Sequence, residues 1–162
     1  MVPLFFLLSG CLLEPPEFDN PVDPANQPDL TFAGSLYDTE FDFSTTRADV
    51  TFFPADEEEF SSLRVLEASH DTGIEFRELE KITGTGTYEV GSEEGQMRMG
   101  IWSRPVIEPI YGYNNIPAGS GTVTVVRFDE ILAGEYSFYK EDGGDPIVDV
   151  SGTFHVRNFL QD

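Results

Sequence analysis

The chain has 162 residues, of which 40% are hydrophobic and 13% aromatic, and its 30 acidic and nine basic residues give a net charge of −21. This length fits one domain that buries a sizeable core. The charge argues against nucleic acid, anionic lipid and anionic polysaccharide as direct partners, because binding any of these needs a basic face.

Residues 1–10 have the pattern of a lipoprotein signal peptide. An apolar run over Val2–Leu8 precedes Ser9-Gly10, and Cys11, the only cysteine of the chain, follows at once. The run is too short to span a bilayer but suits the apolar region of an export signal, and with Cys11 it resembles a bacterial lipobox. We therefore expect cleavage before Cys11 and lipidation of its thiol. One departure from the pattern is that residues 1–3 contain no Lys or Arg.

Lipidation of Cys11 predicts a location in the bacterial cell envelope, with the bilayer as partner. Each buried CH₂ of an acyl chain is worth about 0.8 kcal/mol, so several chains hold the protein permanently. Leu12 stands where an Asp signals inner-membrane retention in some bacteria, which favours the outer membrane. Lipidation also uses the only thiol, so we expect a mature domain without disulfides.

Residues 11–29 comprise the lipidated cysteine and an acidic, proline-rich tether. Five of the eleven prolines fall here: Pro15, Pro16, Pro21, Pro24 and Pro28. Such a segment favours extended conformers that reach roughly 50 Å, enough to hold a domain clear of a membrane. A calcium loop of the EF-hand type is disfavoured, because the required Gly and final Glu are missing.

Residues 30–162 show the period-two alternation of apolar side chains that is typical of β-strands. The apolar positions that alternate are Leu30-Phe32-Gly34-Leu36, Val50-Phe52, Leu63-Val65, Ile74-Phe76, Met97-Met99-Ile101, Val123-Val125, Tyr136-Phe138 and Phe154-Val156. We predict an all-β domain built as a single antiparallel β-sandwich, immunoglobulin-like or similar, of about eight or nine strands. A small closed β-barrel is the alternative. Residues 56–66 predict either a short helix or a solvated turn.

The C-terminal third predicts a meander of three strands over residues 122–128, 135–140 and 147–157. Gly143-Gly144 supplies the positive φ angles that a tight turn requires. Pro146 is expected to delay the pairing of the last strand, because proline has no N–H to donate.

Two segments near the C-terminus resemble the signature of small Bacteroidota-type envelope lipoproteins. Gly119–Asp129 contains a Gly-Thr-Val strand that ends in Asp, and Val150–Val156 contains a Ser-Gly-Thr-Phe strand. Gly84–Tyr88 is similar to the middle strand of these domains. The resemblance implies a secreted β-sandwich lipoprotein of unknown function, and it implies no activity.

Few residues of the chain suggest catalysis. Ser69-His70-Asp71 contains the residue types of a triad, but neighbours in sequence cannot reach triad geometry. His155 falls on the polar face of the last predicted strand. The His and Cys spacing matches no transition-metal site, and Asp142 with Asp145 is a weak calcium candidate that a plain hairpin turn explains better. We expect no catalytic residue and no cofactor, with a secreted hydrolase that uses His70 or His155 as an alternative.

The long segment that follows Trp102 is the best candidate for ligand binding, because long loops on β-scaffolds often bind ligands. Trp102, Tyr111 and Tyr113 offer flat aromatic faces, and Asn114 and Asn115 offer paired donors and acceptors. This combination suits stacking on a sugar or a peptide. The alternative is that Trp102 belongs to the core and the tyrosines serve packing.

The sequence thus predicts a non-enzymatic, lipid-anchored envelope protein that acts as a binding or structural module. Its partner is an unknown envelope protein or an extracellular glycan or peptide. The acidic surface has three open interpretations: adaptation to high salt, recruitment of divalent cations, or steering of a cationic partner. Adaptation to salt is favoured, because the acidic residues are spread along the chain.

Overall fold

A computed structural model describes residues 27–55, 60–67, 72–103, 114–117 and 119–161. They form eleven β-strands and two short 3₁₀ helices, at Leu79–Lys81 and Phe159–Gln161. The strands are β1 Leu30–Leu36, β2 Thr39–Thr45, β3 Ala48–Phe53, β4 Ser62–Glu67, β5 Thr72–Arg77, β6 Gly86–Val90, β7 Arg98–Ser103, β8 Asn114–Pro117, β9 Ser120–Phe128, β10 Ile131–Asp142 and β11 Asp145–Arg157. The signal peptide, Cys11 and the tether up to residue 26 lie outside the described residues.

The strands form two antiparallel sheets. Sheet A has the order β2-β1-β11-β10-β9-β6, and sheet B has the order β3-β4-β5-β7-β8. The prediction of an all-β antiparallel sandwich is confirmed, with two or three strands more than predicted. The closed barrel is wrong, because each sheet ends in two edge strands. Besides the strand ladders, the described residues include an isolated bridge between Val90, the last residue of β6, and Met97.

The core lies between the sheets and is built from the alternating apolar residues. Phe32 of β1, Ile74 of β5 and Val123 of β9 are fully buried. Phe76 of β5 meets Phe154 of β11 across the interface, with ring centroids 4.8 Å apart and an edge-on geometry. Aromatic pairs in this arrangement stabilise a core beyond the area they bury. The other face of the strands is open to solvent in β2 and β3 but is covered in β5, where Glu75 is 4% exposed.

The C-terminal meander is confirmed as β9-β10-β11, with longer strands than predicted. Gly143 and Gly144 have φ angles of +64° and +97°, as the central residues of a type I′ turn require. The expectation for Pro146 is wrong, because Pro146 already pairs with Glu141 inside β11. The register shifts between Lys140 and Glu141, and at such an irregularity the ladder tolerates a residue without an N–H.

The segment 56–66 ends in a strand rather than a helix. β4 begins at Ser62, and its buried Leu63 and Val65 alternate with Arg64. The period of two therefore decides the structure of this half of the segment, while residues 56–59 lie outside the described part. Within that part, no helix is long and apolar enough to cross a membrane.

Candidate functional site

The outer face of sheet B carries a cluster of charged and aromatic side chains. In β4, β5 and β7, the outward positions are occupied by Arg64, Glu75 and Trp102. Arg64 and Glu75 are direct cross-strand partners. Arg64 and Glu75 each lie between two buried apolar residues, and Trp102 lies between the buried Ile101 and Ser103, so strand alternation is the local reason that all three side chains leave the core.

Glu75 is the centre of this cluster, and its side chain is only 6% exposed. Its Oε2 accepts hydrogen bonds from Arg77 Nη2 at 2.9 Å and Nε at 3.1 Å, and from Trp102 Nε1 at 2.9 Å. Its Oε1 lies 3.5 Å from Arg64 Nη2. A buried carboxylate needs such compensation, because burial without partners is costly. Glu75 thereby holds two guanidinium groups and one indole in place.

The guanidinium group of Arg64 lies over two aromatic rings. Its guanidinium carbon is 3.7 Å from the centroid of the Trp102 ring and 5.1 Å from that of Phe53. A planar, weakly hydrated cation stacks well on aromatic faces and keeps its edge donors available. Arg64 Nε is buried and has no hydrogen-bond partner within the part of the chain that the structure describes.

A groove of about 360 Å³ opens beside this cluster. The residues that line it are Phe53, Phe60, Ser62, Arg64, Glu75 and Arg77. The rings of Phe53 and Phe60 are 40% and 39% exposed, and the Arg77 guanidinium lies 6.0 Å from the Phe60 centroid. The groove therefore combines two exposed apolar rings with two arginines.

Basic residues are concentrated around this groove. Arg98, the cross-strand partner of Arg77, forms an ion pair with Glu78 at 3.2 Å, and Lys81 also pairs with Glu78. Four of the nine basic residues of the chain are thus in this region. Their acidic partners are Glu75 and Glu78, so the described part of this region pairs arginine and lysine with glutamate on a molecule with a net charge of −21.

The binding residues that the sequence predicts do not come together in one described site. Trp102 points out of the sandwich and is half-buried beneath Arg64, while its neighbours Ile101 and Ser103 are fully buried. Tyr111 and Tyr113 lie outside the described residues. Asn114 and Asn115 belong to β8 rather than to a loop, because their backbone pairs with β7, with Asn115 opposite Trp102.

Sequence reasoning missed the residues that surround Trp102. Arg64, Glu75 and Arg77 are charged residues within apolar strands, and that alternation was the signal for a shared outer face. The pattern does not say which strands are neighbours. Only the pairing of β4 with β5 and of β5 with β7 brings these side chains to one place.

The remaining candidates stay apart from this cluster. Asp142 and Asp145 are exposed and face each other across the hairpin turn. Within the described residues, no group of three or more His, Cys, Asp and Glu side chains is placed to hold a metal. His155 lies on sheet A, and its Nε2 is buried with no hydrogen-bond partner in the described part of the chain. Ser69-His70-Asp71 falls outside the described residues.

The fold and this surface define an antiparallel β-sandwich with an aromatic and arginine-lined groove on the outside of its five-stranded sheet. No protein-family model, curated protein or solved structure matches the chain.

Proposed function

We propose that this chain is a lipid-anchored protein of the bacterial cell envelope whose β-sandwich binds a ligand and catalyses no reaction. The signal-like residues 1–10, with Cys11 directly after them, support anchoring in the bilayer, and Leu12 favours the outer membrane. The resemblance to Bacteroidota-type envelope lipoproteins supports the same location.

The observation that carries the binding function is the groove on the outer face of sheet B. Single exposed apolar residues need no explanation, whereas exposed apolar groups that share one groove mark an interaction site. Here Glu75 fixes Arg64, Arg77 and Trp102 by hydrogen bonds. A surface that is held rigid before a ligand arrives loses less entropy on binding.

The hydrogen bonds of Glu75 support binding rather than catalysis. Its Oε2 accepts bonds from Arg77 and Trp102, so this carboxylate serves as a positioning group. His155 alternates with the buried Phe154 and Val156 of sheet A, so the core of the sandwich separates it from a groove on the outer face of sheet B. We therefore favour a binding module over the hydrolase alternative.

Anchoring is tested in bacteria that express the wild-type chain or Cys11→Ser and are grown with an alkyne-bearing fatty acid. We expect the wild-type chain to carry the label and to be found in the membrane fraction, because the thiol of Cys11 is the attachment site. Cys11→Ser should lose both. Label that persists in Cys11→Ser, or a wild-type chain in the soluble fraction without label, contradicts the proposed anchor.

Binding is tested by screening oligosaccharides and peptides from the cell envelope against the full chain that carries Cys11→Ser. A ligand of this surface should bind at least about tenfold more weakly to Phe53→Ala, which removes one exposed wall of the groove. Tyr139→Ala is the matched control, since Tyr139 is exposed to a similar degree on sheet A. Equal losses in both variants contradict a site on sheet B.

A further inference from the structure

The geometry points to a ligand class for this groove: a small molecule or chain end that carries a single carboxylate beside an apolar body. This inference rests on the proposed binding function of the outer face of sheet B. It goes beyond that proposal because it names the chemistry that Phe53, Phe60, Arg64 and Arg77 recognise together.

The charge of the groove favours one anionic group. Arg64 and Arg77 bring two positive charges, and the buried Glu75 balances one of them. Arg77 directs Nε and Nη2 at Glu75, whereas Arg64 reaches Glu75 only through Nη2 at 3.5 Å. Because Arg64 Nε is buried, the Nη groups of Arg64 are the donors that remain for a second carboxylate, and their parallel N–H bonds match its geometry.

The aromatic walls favour an apolar body. Phe53 and Phe60 expose about two-fifths of their surface, and each has an arginine near its ring. A ligand that covers both rings removes apolar area from water while its carboxylate stays beside the cations. The volume of about 360 Å³ falls at the lower end of the range for small-molecule sites.

Two other ligand classes fit the groove less well. A neutral sugar needs several acceptors for its hydroxyl groups, and the described lining offers the Ser62 hydroxyl and a Glu75 carboxylate that already accepts several bonds. A long polyanion meets the repulsion of a molecule with a net charge of −21. A single carboxylate brings one charge into this field whereas a polyanion brings many, so the repulsion that it meets is smaller.

The experiment uses the full chain with Cys11→Ser and two matched probes, N-acetyl-phenylalanine and N-acetyl-phenylalanine amide, titrated by calorimetry. We expect the acid to bind at least about tenfold more tightly than the amide, since hydrogen bonds from a cation to a carboxylate are among the strong ones. Equal affinities of acid and amide, or no heat with either, overturn the inference.

Variants place the binding in the groove. Phe53→Ala should weaken binding of the acid by about tenfold or more, and Tyr139→Ala should leave it unchanged. Arg64→Gln should abolish the preference for acid over amide, whereas Arg127→Gln makes the same change in net charge on sheet A and should preserve it. A preference that survives Arg64→Gln overturns the inference, provided that thermal melting shows the variant folded.

Two further probes distinguish the source of the carboxylate, and distinguish failure of the ligand class from failure of the binding function. 3-Phenylpropionate has the same ring and carboxylate without the amide, so weaker binding of this probe indicates a peptide C-terminus and equal binding indicates a free aromatic acid. A neutral oligosaccharide that binds and is lost in Phe53→Ala overturns the ligand class but leaves the binding function intact. Binding that is insensitive to Phe53→Ala contradicts both.

Discussion

At the scale of single residues, two buried polar groups of this domain are held by specific partners. Glu75 is compensated by two arginines and an indole, and the Tyr136 hydroxyl donates to the Thr31 carbonyl oxygen at 2.8 Å. At the surface, the hydrogen bond from Arg127 lowers the pKa of Asp129, whose Oδ1 also accepts from the Ile131 N–H at 2.9 Å. These bonds position side chains on the outer face of sheet B, in the core and in the turn between β9 and β10.

Glu75→Gln should destabilise the fold. The amide keeps the shape of the carboxylate but removes the charge that balances Arg64 and Arg77. We expect a loss of about 2 kcal/mol in the free energy of unfolding, below the usual cost of breaking a buried pair because both arginines keep partial solvent exposure. Urea denaturation measures this loss, with Glu135→Gln on the exposed face of sheet A as the control. Similar small effects in both variants contradict the positioning role.

Tyr136→Phe should change how stability depends on pH. Burial raises the pKa of the Tyr136 phenol well above its ordinary value of 10.0. The folded state thus binds this proton more tightly, so its stabilising contribution is complete below pH 10 and is lost as the pH rises through the folded pKa. We expect Tyr136→Phe to lose about 1 kcal/mol at pH 7, with the hydrogen bond to Thr31.

Above pH 10 the difference in the free energy of unfolding between wild type and Tyr136→Phe should narrow. The unfolded wild type gains stability by ionising the Tyr136 phenol, which burial prevents in the folded state, and the variant has no such phenol. Urea denaturation of both proteins at pH 7 and at about pH 11 measures the difference. A difference that stays the same at both pH values shows that the burial of Tyr136 does not resist its ionisation.

At the scale of elements, the hairpin of β10 and β11 sets the register of sheet A. These strands are the two longest in the described part of the chain, with 12 and 13 residues, and they occupy the interior of the sheet. Their connection is the two-residue turn at Gly143-Gly144. Because every second residue faces the core, a slip by one residue at this turn exchanges the two faces of the strand.

The turn predicts a difference between two substitutions of Gly143. A Cβ atom added at Gly143 would meet no atom of the described residues within 4 Å, so the effect is conformational rather than steric. At a φ of +64°, we expect Gly143→Val to lose about 1–2 kcal/mol and Gly143→Asn to lose much less, because Asn tolerates the left-handed region. Thermal or urea unfolding of both variants measures this, and equal losses contradict the turn geometry.

At the scale of the whole molecule, charge is the dominant feature. A net charge of −21 on 162 residues opposes compaction by self-repulsion, and salt screens this repulsion. The ion pairs around Glu75 and Glu78 act in the opposite direction only locally. Long-range repulsion therefore outweighs local pairing in the response of this protein to salt.

We expect the melting temperature of the Cys11→Ser chain to rise strongly as NaCl increases to molar concentration, since screening removes repulsion from the folded state. Calorimetry in NaCl and in millimolar CaCl₂ separates general screening from cation binding. A flat response to NaCl contradicts adaptation to salt, and a sharp rise with calcium alone favours recruitment of divalent cations.

Much of the fold was predictable because its signals are local. Alternation at Leu63-Arg64-Val65 and Ile74-Glu75-Phe76 identifies strands and their buried faces, and Gly143-Gly144 identifies the tight turn. The order of strands was not predictable, since each sheet joins strands that are distant in the chain, such as β1 with β11. The candidate site was not predictable for the same reason, and Trp102 is the one residue of the site that the sequence predicts as a binding residue.

The sequence by itself determined the class of fold, the faces of the strands and the last hairpin, because side-chain period and glycine conformation act within a few residues. Only the tertiary structure determined which residues form the groove on the outer face of sheet B. Glu75 meets Arg64 across 11 residues of sequence and Trp102 across 27, and only cross-strand pairing brings them within hydrogen-bond distance. Pairing between strands is a property of the whole chain, so no local pattern records it.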